Sequence, residues 1–469
     1  MRPTISTPRA VLAAPLRALA ALGLAATLAA CAAPAAQVPP TRAAAESARM
    51  PLDAPAPAAT PRPSVLSNAA LARDFRELSF ALETGRALPV FTRFEGPVNM
   101  SLAGAVPATA PAELDRLTAR LRAEAGIAIG TGLGGANRIT LDFVPKRVLQ
   151  AEVPGAACFV VPNVAGWDDY RARRRDRTTD WATQTVRRDA TVFIPAEASP
   201  QELRDCLHEE VSQALGPLND LYRLPDSIWN DDNFQAVLTR HDMLILRATY
   251  APELHSGMTE AEVAARLPAV LARINPAGGA VTPLPADPTP PRFSRAIDTA
   301  FGTGTPARRK AAAAQAVQIA RAEGWSDSRT GFALFALGRL SLRDDPQAAL
   351  SAFRTAGAIF RATPGAAVQA AHVDMQLAAL ALASGQPDTA RALSERALPA
   401  ARTAENAALS ATLSMIRAEA CEALGDSAGA RAAWLDSQHW ARYGFGSDAA
   451  VRARATEVAA LAGAGAQVN

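Results

Sequence analysis

Histidine and cysteine are scarce in this chain, five and four among 469 residues. No CxxC pair and no Cys–His cluster occurs, which excludes a structural zinc finger. The G-x-S-x-G elbow and the Ser-His-Asp order of serine hydrolases are missing as well. A strong charge of either sign is also absent. The formal net charge is +3, which argues neither for nucleic acid nor for an acidic substrate. The apolar run at the N-terminus, ALAALGLAATLA (Ala18–Ala29), is too short to span a bilayer comfortably. What remains is 49% hydrophobic and 20% charged, a balance that suits two or three globular domains.

That N-terminal run is preceded by Arg2, Arg9 and Arg17 and ends in Leu28-Ala29-Ala30-Cys31. The pattern resembles a bacterial lipobox, which implies a signal peptide over 1–30, cleavage before Cys31 and diacylation of its thiol. Ala32, in place of the Asp that retains such proteins in the inner membrane, predicts an outer-membrane anchor facing the periplasm. Residues 31–66 are Ala/Pro-rich without apolar period, an extended tether. In an oxidising envelope Cys158 and Cys206 are expected to pair. In the chain-entropy model that loop contributes about 4 kcal/mol. Cys421, within an Ala-rich helical pattern, reads as a small buried hydrophobe.

The Pro/Gly-rich stretch 276–292 predicts a linker between two regions. Region 67–275 mixes strands and helices: strands over 91–102, 137–144, 157–162 and 188–195, and helices over 111–126, 199–216 and from 238 through at least 247. The helix at 199–216 opens with Ser199, Pro200 and Glu202 and stops at Gly216, start and stop signals of known physics. Region 293–464 is helical and repeats at about 40 residues: DDPQAALSAF, SGQPDTARALS and LGDSAGARAAW each follow an apolar helix. These units resemble tetratricopeptide repeats, slightly lengthened. The resemblance implies a surface for a protein or peptide partner.

The most informative segment is CLHEEVSQALGPLND (Cys206–Asp220). Starting at His208 it begins like the zinc motif HExxH, but Ser212 stands where the second ligand is required. One residue later, Glu209, Glu210, Gln213, Gly216 and Asn219 give E-E-x-x-Q-x-x-G-x-x-N, with the spacing of the metzincin pattern H-E-x-x-H-x-x-G-x-x-H. The segment resembles a degenerate metzincin-type peptidase domain, α+β with a mixed sheet and an active-site-type helix. The resemblance implies Glu210 at the general-base position, Glu209, Gln213 and Asn219 at the metal-ligand positions, and Trp229 roughly at the Met-turn. CLHEEVSQALGPLND, SIWND, LTRHDMLILRATY and Gly257-Met258 also resemble an uncharacterised family of proteobacterial lipoproteins with domain of unknown function 2927. That resemblance covers most of 90–265 and implies no activity.

One carboxylate and two amides make a weak zinc site. Oxygen ligands suit Ca²⁺ or Mg²⁺, which want more of them. The expectation is therefore a non-catalytic, lipid-anchored binding or scaffold protein that recruits a partner through its repeats, with no cofactor assigned. The alternative is a divalent-metal-dependent hydrolase using Glu210. Among the histidines, His208, His241 and His255 show no spacing that converges, and exposed or capping roles are expected. The GxGxxG at Gly130–Gly135 lies between a helix and a strand, the reverse of a dinucleotide site, and reads as a flexible turn. RARRRDR (Arg171–Arg177) reads as a solvated loop between strands.

Overall fold

A computed structural model describes residues 65–283 and 287–466. Cys31, the signal sequence and the tether as far as residue 64 lie outside the described residues. Helix α1 (Asn68–Ser79) leads through a turn closed by the Ala81–Ala87 bridge and then an irregular stretch to strand β1 (Val98–Gly104). Helix α2 (Ala110–Arg120), whose last turn widens into a π-turn over Leu121–Ala125, then returns the chain to β2 (Ile129–Thr131). There follow β3 (Asn137–Val144), α3 (Lys146–Glu152), β4 (Phe159–Pro162), α4 (Trp167–Arg173) and β5 (Asp189–Pro195). Helices α5 (Pro200–Leu215), α6 (Arg240–Thr249) and α7 (Glu260–Ile274) complete the α/β region.

The five strands form one mixed sheet in the order β2-β1-β3-β5-β4. The β1–β2, β1–β3 and β3–β5 pairs are parallel, and β4 runs antiparallel along the edge, pairing Phe159 with Phe193. Both faces of the centre are covered. β3 and β5 are therefore buried almost throughout instead of alternating, as expected of central parallel strands. The main core joins Leu114, Leu117, Ile139, Leu141, Val192, Leu207 and Val211. A smaller cluster of Val144, Leu149, Val161 and Phe193 lies under α3 and α4.

The sequence reading placed the first strand too early, since pairing begins at Val98. It also missed α1, β2, α3, α4 and α7. β2 and α4 are too short to show a period. The RARRRDR stretch is not simply a loop: Arg171 and Arg173 end α4, and Arg171 and Arg174 pair with Glu152.

From residue 291 onward the described chain is helical: α8 (Pro291–Phe301), α9 (Pro306–Ala322), α10 (Ser328–Ser341), α11 (Pro346–Ala362), α12 (Ala367–Ala383), α13 (Pro387–Thr403), α14 (Ala407–Ala423), α15 (Ser427–Phe445) and α16 (Asp448–Ala466). Helices α11, α13 and α15 start at 346, 387 and 427, which is the expected period of about 40. Glycine sets their spacing. A Cβ on Gly338 would stand 2.7 Å from the Phe353 ring and one on Gly331 2.7 Å from the Phe360 ring, so these helices meet at a distance only Gly permits.

Both regions belong to one compact unit. Gln201 at the start of α5 bonds Asn406 and the Ala408 amide, Arg204 reaches the Glu405 carbonyl, and the Tyr443 hydroxyl donates to Glu113. The segment between α5 and α6 makes the deepest contact. Phe234 is 4% exposed and lies among Phe332, Phe335 and His372, with ring centroids at 5.7, 5.1 and 4.7 Å. Gln369 donates to the Pro225 carbonyl at 2.7 Å and to Asp232 at 3.2 Å.

Candidate functional site

Helix α5 is locally over-determined. Ser199 and Glu202 form a reciprocal capping box, and Pro200 occupies the first turn, where its missing N–H is not needed. At the other end the Arg187 guanidinium donates to the carbonyls of Gln213, Ala214 and Gly216 at 2.6–2.7 Å. Those are the carbonyls that a helix C-terminus leaves without partners. Burial pushes this arginine down to about 10. Gly216 ends the helix against Thr249, whose Cγ2 would be 2.9 Å from any Cβ there.

The Cys158–Cys206 disulfide forms as expected, Cα–Cα 6.0 Å, and ties β4 to α5. The Cys158 sulfur and a carboxylate oxygen of each of Glu209 and Glu210 lie within 4.8 Å of one another. Because that sulfur is in a disulfide it is no thiolate ligand. Glu209 is half-buried and Glu210 is 5% exposed. Gln213 donates its amide to Glu83 at 3.3 Å, a residue of the turn after α1. Beyond Gly216 the Asn219 amide donates to the Glu77 carbonyl at 2.9 Å. No hydrogen bond joins Asn219 to Glu209 or Gln213. The next residue, Asp220, is the one whose carboxyl interacts with Glu83, Glu209, Glu210 and Asp231.

Trp229 is fully buried and its indole N–H donates to Ser212 Oγ at 3.0 Å. Ser212 in turn donates to the Glu209 carbonyl at 2.8 Å. The residue that disqualifies the HExxH reading is thus the acceptor that seats the tryptophan under α5. The Trp229 turn is held from below by Asp242, the third residue of α6, which accepts from Ser227 Oγ at 2.6 Å and from the Ile228 amide at 3.1 Å.

The histidines do not converge, and two of them are neither exposed nor capping. His208 is buried and accepts from the Leu238 amide at 3.0 Å. Burial, with the Arg120 and Arg204 charges, holds it at about 3 and so neutral. His241 is buried between Asp74 and Asp242, each at 3.3 Å. Burial opposes its charge, but the two acids outweigh it and lift it to about 9. Asp74 also takes Arg223 at 2.6 Å. Against burial, these partners hold it down at about 2. Periodicity alone could not separate these buried roles from surface ones.

The carboxylates around α5 behave differently. Burial, reinforced by Glu83, Asp231 and Asp205, pushes Glu209 up to about 7. Glu210 is raised well above the usual range by burial and by Glu209 and Glu83. Glu83, Asp220 and Asp231 are raised too, each first by burial. Tyr222 donates to Asp231 at 2.5 Å. Sequence reasoning missed Glu83, Asp220 and Asp231. The only available signal was the run of acids in ND and NDD (219–220 and 230–232).

Asp231 and Tyr222 also border a cavity of about 670 Å³ between this segment and the helices. Phe301, Phe332, Phe335, Arg339, His372 and Arg454 are among the other residues that line it.

The fold and the site together define a mixed-sheet α/β domain, carrying a carboxylate-rich helix, docked onto a helical array. Residues 68–269 match the family model described as "Protein of unknown function (DUF2927)", which supports placing that segment in this family. No curated protein and no solved structure matches the chain.

Proposed function

We propose that the protein is a non-catalytic binding protein of the cell envelope, anchored through lipid on Cys31 to the outer membrane and facing the periplasm. Its α/β domain is a degenerate metzincin-type domain, and its helical array is tetratricopeptide-like. The protein or peptide partner enters the cavity between the two. The peptidase likeness is supported by the antiparallel edge strand tied to α5, the sharp turn at Gly216 and Trp229 seated beneath the helix.

The absence of catalysis is carried by one observation. Glu210, at the general-base position, is buried to 95%, and burial, reinforced by Glu209 and Glu83, raises its carboxyl well above the usual range. Among the described residues no imidazole or free thiolate stands beside it to hold a metal that would activate a water for it to deprotonate. Zinc, which the peptidase likeness implies, does not fit this donor set, which offers carboxylate and amide oxygens but no imidazole or free thiolate. No hydrolytic step is therefore derived. Binding is supported by the cavity, which is lined by aromatic rings with a few charged groups, the usual make-up of a ligand site.

The test is elemental analysis and a peptide-cleavage assay on the full chain, wild type and Glu210→Gln, beside capture of envelope peptides on the immobilised protein. Bound peptide without cleavage supports the reading. Turnover that disappears in Glu210→Gln overturns it in favour of a metal-dependent hydrolase.

A further inference from the structure

Helix α15 turns one face to solvent. The cavity is lined from α8, α10, α12, α14 and α16, and no residue of α15 borders it. Leu435 is 61% exposed, more than any other large apolar side chain among the described residues, and the adjacent Trp434 is 39% exposed. At about 100° per residue, Trp434, Gln438, Arg431, Arg442, Leu435 and His439 fall within one arc of about 140°. Arg431, Arg442 and His439 are exposed. Neither arginine has an ion pair or a side-chain hydrogen bond among the described residues. The one acid of the helix, Asp436, lies off this face, where it accepts from Arg402 and from Ser414 Oγ at 2.6 and 3.0 Å. The face therefore combines exposed apolar surface with two unpaired positive charges and carries no negative one.

We propose that this face of α15 docks on an anionic phospholipid surface. Trp434 and Leu435 enter the boundary between headgroups and acyl chains, while Arg431 and Arg442 lie between them around the helix and meet lipid phosphates. Tryptophan and leucine beside arginine are the make-up of a helix that lies in the plane of the interface. A second protein fits less well. The strip from Arg431 to Arg442 is about 17 Å long and about 10 Å wide, far short of the roughly 800 Å² per partner that a stable protein interface buries. A lipid surface asks only for shallow insertion and opposite charge. The inference rests on the envelope location proposed above. Its readout is confined to α15 and uses vesicles, so it fails separately from the Cys31 anchor and from partner capture.

The experiment uses the full chain carrying Cys31→Ser and Leu435→Cys. A polarity-sensitive dye then attaches at position 435, since Cys421 is buried and Cys158 and Cys206 are bridged. The labelled protein is titrated with vesicles of phosphatidylglycerol and phosphatidylethanolamine, and with phosphatidylcholine alone. We expect a blue shift of the dye on the anionic vesicles and none on phosphatidylcholine. Replacing both arginines, Arg431→Gln with Arg442→Gln, should raise the half-saturating lipid roughly tenfold or more, because each arginine at an anionic surface contributes about fivefold. Trp434→Ser and high salt should weaken binding too. The same dye on Leu133→Cys, 37% exposed in the α/β region, is the control and should not respond. If circular dichroism shows that a variant fails to fold, the salt dependence of the parent protein decides. No blue shift at 435 on anionic vesicles overturns the proposal. So does an equal response from the dye at 133, or a response at 435 that neither high salt nor the folded arginine variant diminishes.

Discussion

Replacing Phe234 with alanine should loosen the whole molecule, although the residue lies in an irregular segment. Its ring is 4% exposed and meets Phe332 and Phe335 edge-on at 5.7 and 5.1 Å, with Phe360 at 6.3 Å and His372 at 4.7 Å. Truncating a buried phenylalanine costs about 3–5 kcal/mol, because the cavity left behind closes only in part. Little of that cost can be recovered by relaxation, since Gln369 fixes Pro225 and Asp232 on the same segment. A loss of about 4 kcal/mol corresponds to roughly a thousandfold in the docking equilibrium. Urea unfolding followed by circular dichroism and by tryptophan fluorescence should give coincident transitions for wild type and separated, earlier ones for Phe234→Ala. Phe301→Ala is the internal control. It borders the same cavity and stacks on Phe332 at 5.4 Å, yet it is 38% exposed and should cost about 1 kcal/mol or less. Superimposable curves for Phe234→Ala and wild type would refute the docking argument.

Four further outcomes are expected. Reducing the Cys158–Cys206 bridge, which closes a loop with a separation of 48 residues, should remove about 4 kcal/mol in the chain-entropy model; a melting point indifferent to reductant would count against it. Gly338→Ala drives a Cβ to 2.7 Å from the Phe353 ring and should cost about 1–3 kcal/mol by overpacking, readable in the urea midpoint. Stability should fall as pH rises from 7 to 9. Glu209 stabilises fully below 4.5 and loses that contribution through about 7, and His241 does so below 6.5 and through about 9. On the acid side, His208 and His372, both held at about 3 first by burial, withdraw stability as pH drops below 6.5, so midpoints climbing between pH 7 and 9 would contradict these assignments. Glu210→Gln, which fixes the neutral form of a carboxyl that burial raises well above the usual range, should make the midpoint fall less steeply with rising pH than in wild type; a midpoint lowered at every pH would show that the carboxyl has a partner.

The elements legible in the sequence were those with several coincident signals. Ser199, Pro200, Glu202 and Gly216 bracket α5 to within a residue, because cap chemistry is local. The repeating helices announced themselves through a period of about 40 and small residues at the contacts. The pairing of Cys158 with Cys206 also followed from context. The site was harder to read, because its defining property is convergence. Glu83 lies 126 positions before Glu209 and is joined to α5 through Gln213, and nothing in the text around LETGR marks it. Spacing drew attention to Asn219, whereas the fold turns Asp220 toward the other acids. The buried histidines escaped for a related reason: a neutral His208 accepting a backbone N–H and a charged His241 between two aspartates present the same letter.

Trp229 and Phe234 are five residues apart but belong to different hydrophobic cores, the first under the sheet and the second among the helices. A polypeptide cut at the proline-rich stretch before α8 would therefore expose Phe234 and Tyr222 on one fragment. The other fragment would keep a pocket of Phe332, Phe335 and Phe360 with nothing to fill it. Each half would carry a sticky scar complementary to the other, and the two should reassociate when mixed or aggregate when kept apart. The boundary drawn by composition is thus a poor place to divide the molecule, and the 68–269 family segment ends before reaching the helices against which its own loop is packed.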